Sequence, residues 1–413
     1  MSSILLTENP RSVDSVVLLG IAACTTLLAI LLLASLGYCR AKQSPPKQPQ
    51  EKDTVKETPK KERQMMCPFS ADTDFLVETA EHLDPTPLDL FEDWNSSTSA
   101  MPLATRWLAA GLSGQDTPGI LRAGLKRLRN AKFFLNEDTH LIAHELQLKK
   151  QALDDPVMHD IMVVAEPDSV PAQQECLDLF VSYLPVRYPE LYTFDKTANS
   201  IYVKPLDETF LLDDWKHAPL ELCNRIVQED LCLVRAADDT KETHVMAAAS
   251  VVFSFQELSR KLGQPMEFLH APVPGAEKYL RKIMNYTFSR IKSEQPVWRN
   301  NWGIAPTGNL IDAIYGAPSS QKNRSFADVT VEDIKAKFLR VEYQTFRRLP
   351  RTNYLLFTIK TMSDPMYELE KVPSAAACLA RSIRGMSPKM RVYKGIEDDR
   401  TCDAVLSYLD SIK

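Results

Sequence analysis

Three short stretches hold side chains suited to catalysis or ligand capture. "EFLHAPVPGAEKYL" (267–280) sets His270 ahead of Pro272 and Pro274. A residue preceding proline is pushed out of the helical region, so Ala271 and Val273 are expected to be extended, with His270 on a semi-rigid arm. Such an arm aims an imidazole, and a neutral imidazole is a good metal ligand. The plain alternative is a histidine packed at a helix start. In "FLRVEYQTF" (338–346), alternation sends Arg340, Glu342 and Gln344 to one face and Leu339, Val341 and Tyr343 to the other. That polar face is either solvated or a pocket wall that sets a carboxylate beside a guanidinium. "PVWRNNWGI" (296–304) flanks Arg299 and two asparagines with Trp298 and Trp302. It suits an indole-packed turn, or an apolar cavity with a few placed polar donors.

A histidine arm, an aromatic cavity and a carboxylate together are what a haem pocket requires. Other chemistries are disfavoured. The chain has 13 glycines and no G-x-G-x-x-G or G-x-x-x-x-G-K-[ST], which argues against a self-contained dinucleotide or nucleoside triphosphate site. Its eight cysteines show no C-x-x-C spacing, and its seven histidines no H-E-x-x-H, so zinc and covalent haem attachment are not indicated. Free thiols in a reducing compartment are expected. A formal charge of −5 gives no general pull toward nucleic acid. The "RRLPR" cluster (Arg347, Arg348, Arg351) reads as a hairpin tip or an anion contact, for which haem propionates or an acidic redox partner would qualify.

The elements that must position these groups fall in an α+β order. Helical periodicity is predicted over 117–132, 138–153, 171–184, 275–291, 373–384 and 401–412, and strands over 231–235, 245–253, 338–346 and 354–360. The last two strands form a hairpin through "RRLPRTN". Upstream, residues 16–38 are 23 consecutive uncharged residues, the length of a single transmembrane helix. Basic residues follow this span and are nearly absent before it, which places residues 1–15 outside the cytosol and residues 39–413 within it. Residues 39–67 read as a polar, lysine-rich tether able to lie on anionic headgroups. Residues 68–413 read as one globular domain. The expected location is therefore a membrane, single-pass, with the C-terminal domain cytosolic; the endoplasmic reticulum is the favoured organelle, although nothing in the residues determines which membrane it is.

Taken in order, "IVQEDLCLV" (226–234), "EFLHAPVPGAEKYL", "PVWRNNWGI" and "FLRVEYQTFRRLPRTNYLLFTIKTM" (338–362) resemble the haem-dependent oxidative N-demethylase family, and "SYLPVRYPELY" (182–192) resembles its early helix. The resemblance spans roughly 120–385. It implies a PAS-like antiparallel sheet with flanking helices, its core at about 190–365, binding haem b as a monooxygenase catalyst. His270 is then the axial iron ligand, Arg299 and Glu342 lie on the distal or substrate side, and Arg340 and Trp302 contact the cofactor. The implied reaction oxidises an N-methyl group of a small amine and releases formaldehyde. Bacterial relatives draw electrons from flavin and iron–sulfur partners; neither module is encoded here, so an external redox partner is expected. The alternative is a non-catalytic haem sensor or membrane adaptor. Two departures stand out: the amino-terminal anchor, and Phe255 where the family's tryptophan is expected.

Overall fold

The computed structural model describes residues 125–128, 134–238, 243–254, 258–276, 281–311 and 329–413, all within the compact unit Met66–Lys413. In chain order the elements begin with β1 (Lys126–Arg127), α1 (Ile142–Asp154), α2 (Pro156–Met162), β2 (Val163–Ala165) and α3 (Val170–Arg187). They continue with β3 (Tyr192–Asp195), β4 (Ser200–Val203), β5 (Glu208–Leu211), α4 (Pro219–Ile226), β6 (Asp230–Ala236) and β7 (His244–Ser250). Two short helices, α5 (Leu258–Lys261) and α6 (Met266–Leu269), precede α7 (Arg281–Phe288) and β8 (Val297–Ala305). The remainder comprises α8 (Val331–Lys335), β9 (Phe338–Arg348), β10 (Leu355–Pro365), α9 (Pro373–Arg384), α10 (Pro388–Tyr393) and α11 (Asp399–Ser411).

Seven strands form one antiparallel sheet in the order β1-β8-β9-β10-β6-β7-β2, and β3-β4-β5 form a separate meander. The β9–β10 hairpin is the spine of the large sheet, paired from Phe338↔Pro365 to Arg348↔Leu355. It closes on a turn in which Leu349 N–H donates to Tyr354 O at 2.8 Å and Asn353 takes φ 62°, a left-handed conformation asparagine tolerates.

The architecture is α+β with an antiparallel sheet and helices, but the expected PAS-like sheet preceded by a transmembrane helix is not found among the described residues. The sheet reaches well outside 190–365, because β1 pairs with β8 (Lys126↔Trp298) at one edge and β2 with β7 (Val163↔Ser250) at the other. Among the described residues no helix is long and apolar enough to cross a membrane. Even α3, the longest at 18 residues, carries Glu175, Asp178 and Arg187. Residues 16–38 and the tether 39–67 lie outside the described residues, as do Phe255 and most of the helix predicted over 117–132. Where that last segment is described, Lys126–Arg127 is a strand, because pairing to β8 overrides its local periodicity. The helix predicted over 373–384 is found with those bounds, and the other predicted helices and strands are found with shifted ends. Of the predicted apolar stripe, Met284 and Phe288 of α7 and Ile291 just beyond it are buried, Ile283 is 47% exposed, and Leu280 lies outside the described residues.

Each face of the large sheet packs a different core. On one face Leu339, Val341 and Tyr343 of β9, Trp298 and Trp302 of β8, and Leu356 of β10 join residues of α1, α3, α4, α9 and α11. On the other, Cys232, Val234, Phe346, Phe357 and Ile359 meet Met266, Met284 and Phe288. At the start of β6 the fold also buries an ionic centre. Lys149 and Asp230, both with fully buried side chains, stand 3.6 Å apart, and Lys149 Nζ donates to Val227 O at 3.0 Å and Glu229 O at 2.5 Å. Asp230 in turn accepts from the backbone N–H groups of Val252 and Phe253, each at 2.8 Å. Of the arginines of "RRLPR", two are tied inward, Arg347 lying 4.9 Å from the Phe134 ring and Arg348 donating to Ile291 O at 3.0 Å, whereas Arg351 keeps an exposed side chain paired with Asp178 at the hairpin tip.

Candidate functional site

The second sheet face opens into a cavity of about 310 Å³, a volume within the range of small-molecule sites. Its floor is aromatic and aliphatic. Phe346 and Phe357, on adjacent strands, stack with centroids 4.3 Å apart and planes 4° from parallel, and Phe288 leans on Phe346 at 5.2 Å. Cys232, Val234 and Ile359 extend the apolar surface, while α6, the turn after it, and α10 wall the cavity. Period-two alternation explains why the floor and the polar residues share one face: Glu342, Gln344 and Phe346 are two apart on β9, and Arg299 and Asn301 are two apart on β8.

His270 lines this cavity. The extended arm expected around it is instead a compact turn: α6 ends at His270 (φ −98°, ψ 1°), and its carbonyl accepts from Val273 N–H at 2.9 Å. Successive turn hydrogen bonds, Ala271 N–H to Phe268 O at 3.2 Å and Ala276 N–H to Val273 O at 3.0 Å, hold the chain more tightly than the two prolines alone would. The ring Nδ1 stands 2.7 Å from Met266 O. A carbonyl only accepts, so Nδ1 carries the hydrogen and Nε2 keeps the lone pair, the arrangement that orients a metal-binding histidine. Burial lowers the pKa of His270, the Met266 bond opposes that shift, and the nearby Arg299 charge adds to the lowering.

Glu342 is held from three sides. Its Oε2 accepts from Asn301 Nδ2 at 3.1 Å and Gln344 Nε2 at 2.9 Å, and Arg340 Nε lies 3.6 Å from Oε1. Arg340 does not line the cavity; it bonds to Phe253 O and lies 3.4 Å from Thr361 Oγ1, so it braces the carboxylate from behind. Arg299 does line the cavity, with burial lowering its pKa against the pull of Glu342. Trp302 does not, because β8 turns it to the opposite face, where it is 2% exposed in the core. Thus His270, Arg299 and Glu342 come together in one cavity, Arg340 stands behind it, and Trp302 is a core residue.

Sequence reasoning missed Lys394. It is 5% exposed, lines the cavity, and donates from Nζ to Asn301 Oδ1 at 2.6 Å and Trp302 O at 2.7 Å. Burial and the Arg299 charge push its pKa down to about 7, against the pull of Glu342. Gly395 delivers it there: at φ +87°, where a Cβ would stand 2.0 Å from Ile304 O, it lets the end of α10 close on β8, with Ile304 N–H donating to Lys394 O at 2.8 Å. The available signal was a Lys-Gly pair ending a short amphipathic segment, which marks a helix end but names no partner.

These residues fit a haem. His270 lines the cavity with Nδ1 committed to Met266 O, which leaves Nε2 as the nitrogen able to bind iron, the stacked phenylalanines offer an apolar surface, and a carboxylate lines the same space. The sequence agrees with the geometry. Residues 124–402, more than half of the chain, match the family model described as "Haem-dependent oxidative N-demethylase, alpha subunit-like". The chain belongs to the haem-dependent oxidative N-demethylase, alpha subunit-like family.

Proposed function

We propose that this protein removes an N-methyl group from a small amine by oxidation, releasing formaldehyde, with His270 as the residue that would hold the iron of haem b and Glu342 as the group that meets the amine. The observation that carries this reading is the shared cavity: an imidazole whose Nδ1 is committed to Met266 O faces the same space as a carboxylate fixed by Asn301 and Gln344. When bound, haem supplies the oxidising power for attack on the N-methyl carbon, with electrons from a separate flavin or iron–sulfur protein. The chain's own residues do the rest. His270 fixes the cofactor's position, the aromatic floor excludes water, and Glu342 attracts the cationic form of the amine and lies within reach to take or return a proton. Asn301, Gln344 and Arg340 keep that carboxylate from swinging out of line, since each holds one of its oxygens.

The test is full-length protein loaded with haem and supplied with a reductant, dioxygen and a panel of N-methyl amines. A Soret band and amine-dependent formaldehyde are expected. A Soret band with no formaldehyde from any amine would favour a non-catalytic haem-binding role, and failure to take up haem would overturn the reading.

A further inference from the structure

Arg299 carries more hydrogen-bonding capacity than a simple methylamine can use. Its Nε is buried without a partner, and among the described residues its guanidinium makes no hydrogen bond and no ion pair. Glu342 attracts it only from a distance. That carboxylate accepts from Asn301 and Gln344 at Oε2 and lies 3.6 Å from Arg340 at Oε1, so it is held in place while keeping room to accept from a ligand. Leaving a half-buried guanidinium with a buried, unbonded Nε is costly, and a bound anion reduces that cost. The guanidinium fork matches the two oxygens of a carboxylate. Lys394 reaches the same cavity and uses two of its three N–H groups on Asn301 Oδ1 and Trp302 O, leaving one.

The strand register sets the spacing. Asn301 lies opposite Glu342, and Arg299 lies opposite Gln344, so Arg299 and Glu342 are diagonal neighbours on one face. Such pairs stand roughly 7–8 Å apart, a distance that extended side chains and a short aliphatic amino acid can span between them. A ligand with a cation at one end and an anion at the other satisfies both walls, whereas a plain amine leaves Arg299 unpaired.

We propose that Arg299 and Lys394 form a carboxylate-binding subsite beside Glu342, and that the amine this pocket takes is an N-methylated amino acid, its ammonium at Glu342 and its acid group at Arg299 and Lys394. The choice of amine rests on the demethylase reading of the cavity; the carboxylate subsite does not. A haem propionate presents the same chemistry, so the test must separate the two sources.

Full-length haem-loaded protein is titrated calorimetrically with three probes: butyrate, N-methylpropylamine, and N-methyl-4-aminobutyrate, which combines the two. The amino acid is expected to bind about tenfold or more tightly than the amine, the scale of a charge-assisted hydrogen bond. Arg299→Gln should erase that preference, Arg299→Lys should keep part of it, and Lys394→Met should weaken it. Melting temperatures verify that each variant is folded, and Soret titration should give an unchanged haem affinity. Equal binding of amine and amino acid by the wild type overturns the subsite and leaves the demethylase reading standing. Loss of haem affinity in Arg299→Gln with the preference intact assigns the anion to a propionate and also overturns it. Butyrate binding that disappears in Arg299→Gln, with neither amine bound, upholds the subsite and removes the demethylase reading. If no probe binds, both fall.

Discussion

Asn301 and Glu342 face each other in register across β8 and β9, and the amide Nδ2 donates to the carboxylate at 3.1 Å while the amide oxygen accepts from Lys394 at 2.6 Å. One asparagine thus couples a strand carboxylate to a lysine brought in by a helix end more than ninety residues away. The cavity's polar wall is one connected unit, and removing one member disturbs the others.

Replacing the carboxylate is the most direct perturbation of that wall. Glu342→Gln keeps the shape and deletes the charge, so haem content should be unchanged while formaldehyde release from an N-methyl amine falls by roughly 10²-fold or more. Absorbance at the Soret maximum and a formaldehyde assay on the same samples separate the two effects. Wild-type turnover in the glutamine variant would make the carboxylate a structural residue.

His270→Ala should abolish or strongly reduce haem uptake, because it removes the imidazole that lines the cavity with Nε2 left to bind iron. The melting temperature without haem should change little, since the ring gives up one hydrogen bond, to Met266 O. Titration of haem into wild type and variant, followed by absorption, decides this, and equal uptake with an identical spectrum would refute the ligand assignment.

At Gly395 an added methyl group meets Ile304 O at 2.0 Å in a backbone conformation of φ +87°. Gly395→Ala should therefore destabilise the protein by about 1–3 kcal/mol in denaturant melts and displace Lys394 from Asn301. Activity should fall further than in a surface Gly→Ala control of equal stability loss.

Lys394 also gives stability a pH signature. Its pKa in the folded protein is lowered to about 7 from an ordinary 10.5, so between these values the unfolded chain binds the extra proton. Stability attributable to this residue therefore rises as the pH increases from about 7 toward 10, and the full cost of charging it in the fold is felt below 7. The melting temperature of wild type minus that of Lys394→Met should become more positive over that range; a flat difference would show that Lys394 is charged throughout.

At the start of β6, Lys149→Met should cost about 3–5 kcal/mol, because it strands the buried Asp230 carboxylate and removes the donor to the Val227 and Glu229 carbonyls. Denaturant unfolding monitored by circular dichroism measures this directly.

What the sequence by itself determined is what local backbone geometry determines. Extended chain alternates with period two, so the division of 338–346 into Arg340, Glu342 and Gln344 against Leu339, Val341 and Tyr343 was legible before any partner strand was known, and β9 keeps it. The β9–β10 hairpin was legible for the same reason, with a turn sequence between two apolar runs. Trp302 was not. Its stretch was readable as a turn or a cavity lining, and only pairing to β9 fixed 297–305 as a strand, which sends Arg299 and Asn301 to the cavity and Trp298 and Trp302 to the core. The edges of the sheet were also hidden, because β1 and β2 are two and three residues long and exist through their partners β8 and β7. Lys394 belongs wholly to the tertiary structure. Nothing local to it specifies a site, and its place depends on a glycine passing close to a carbonyl on a distant strand. Periodicity is a property of neighbours along the chain, whereas a binding site is made of neighbours across it, and folding supplies those only when the two sheet faces find their separate cores.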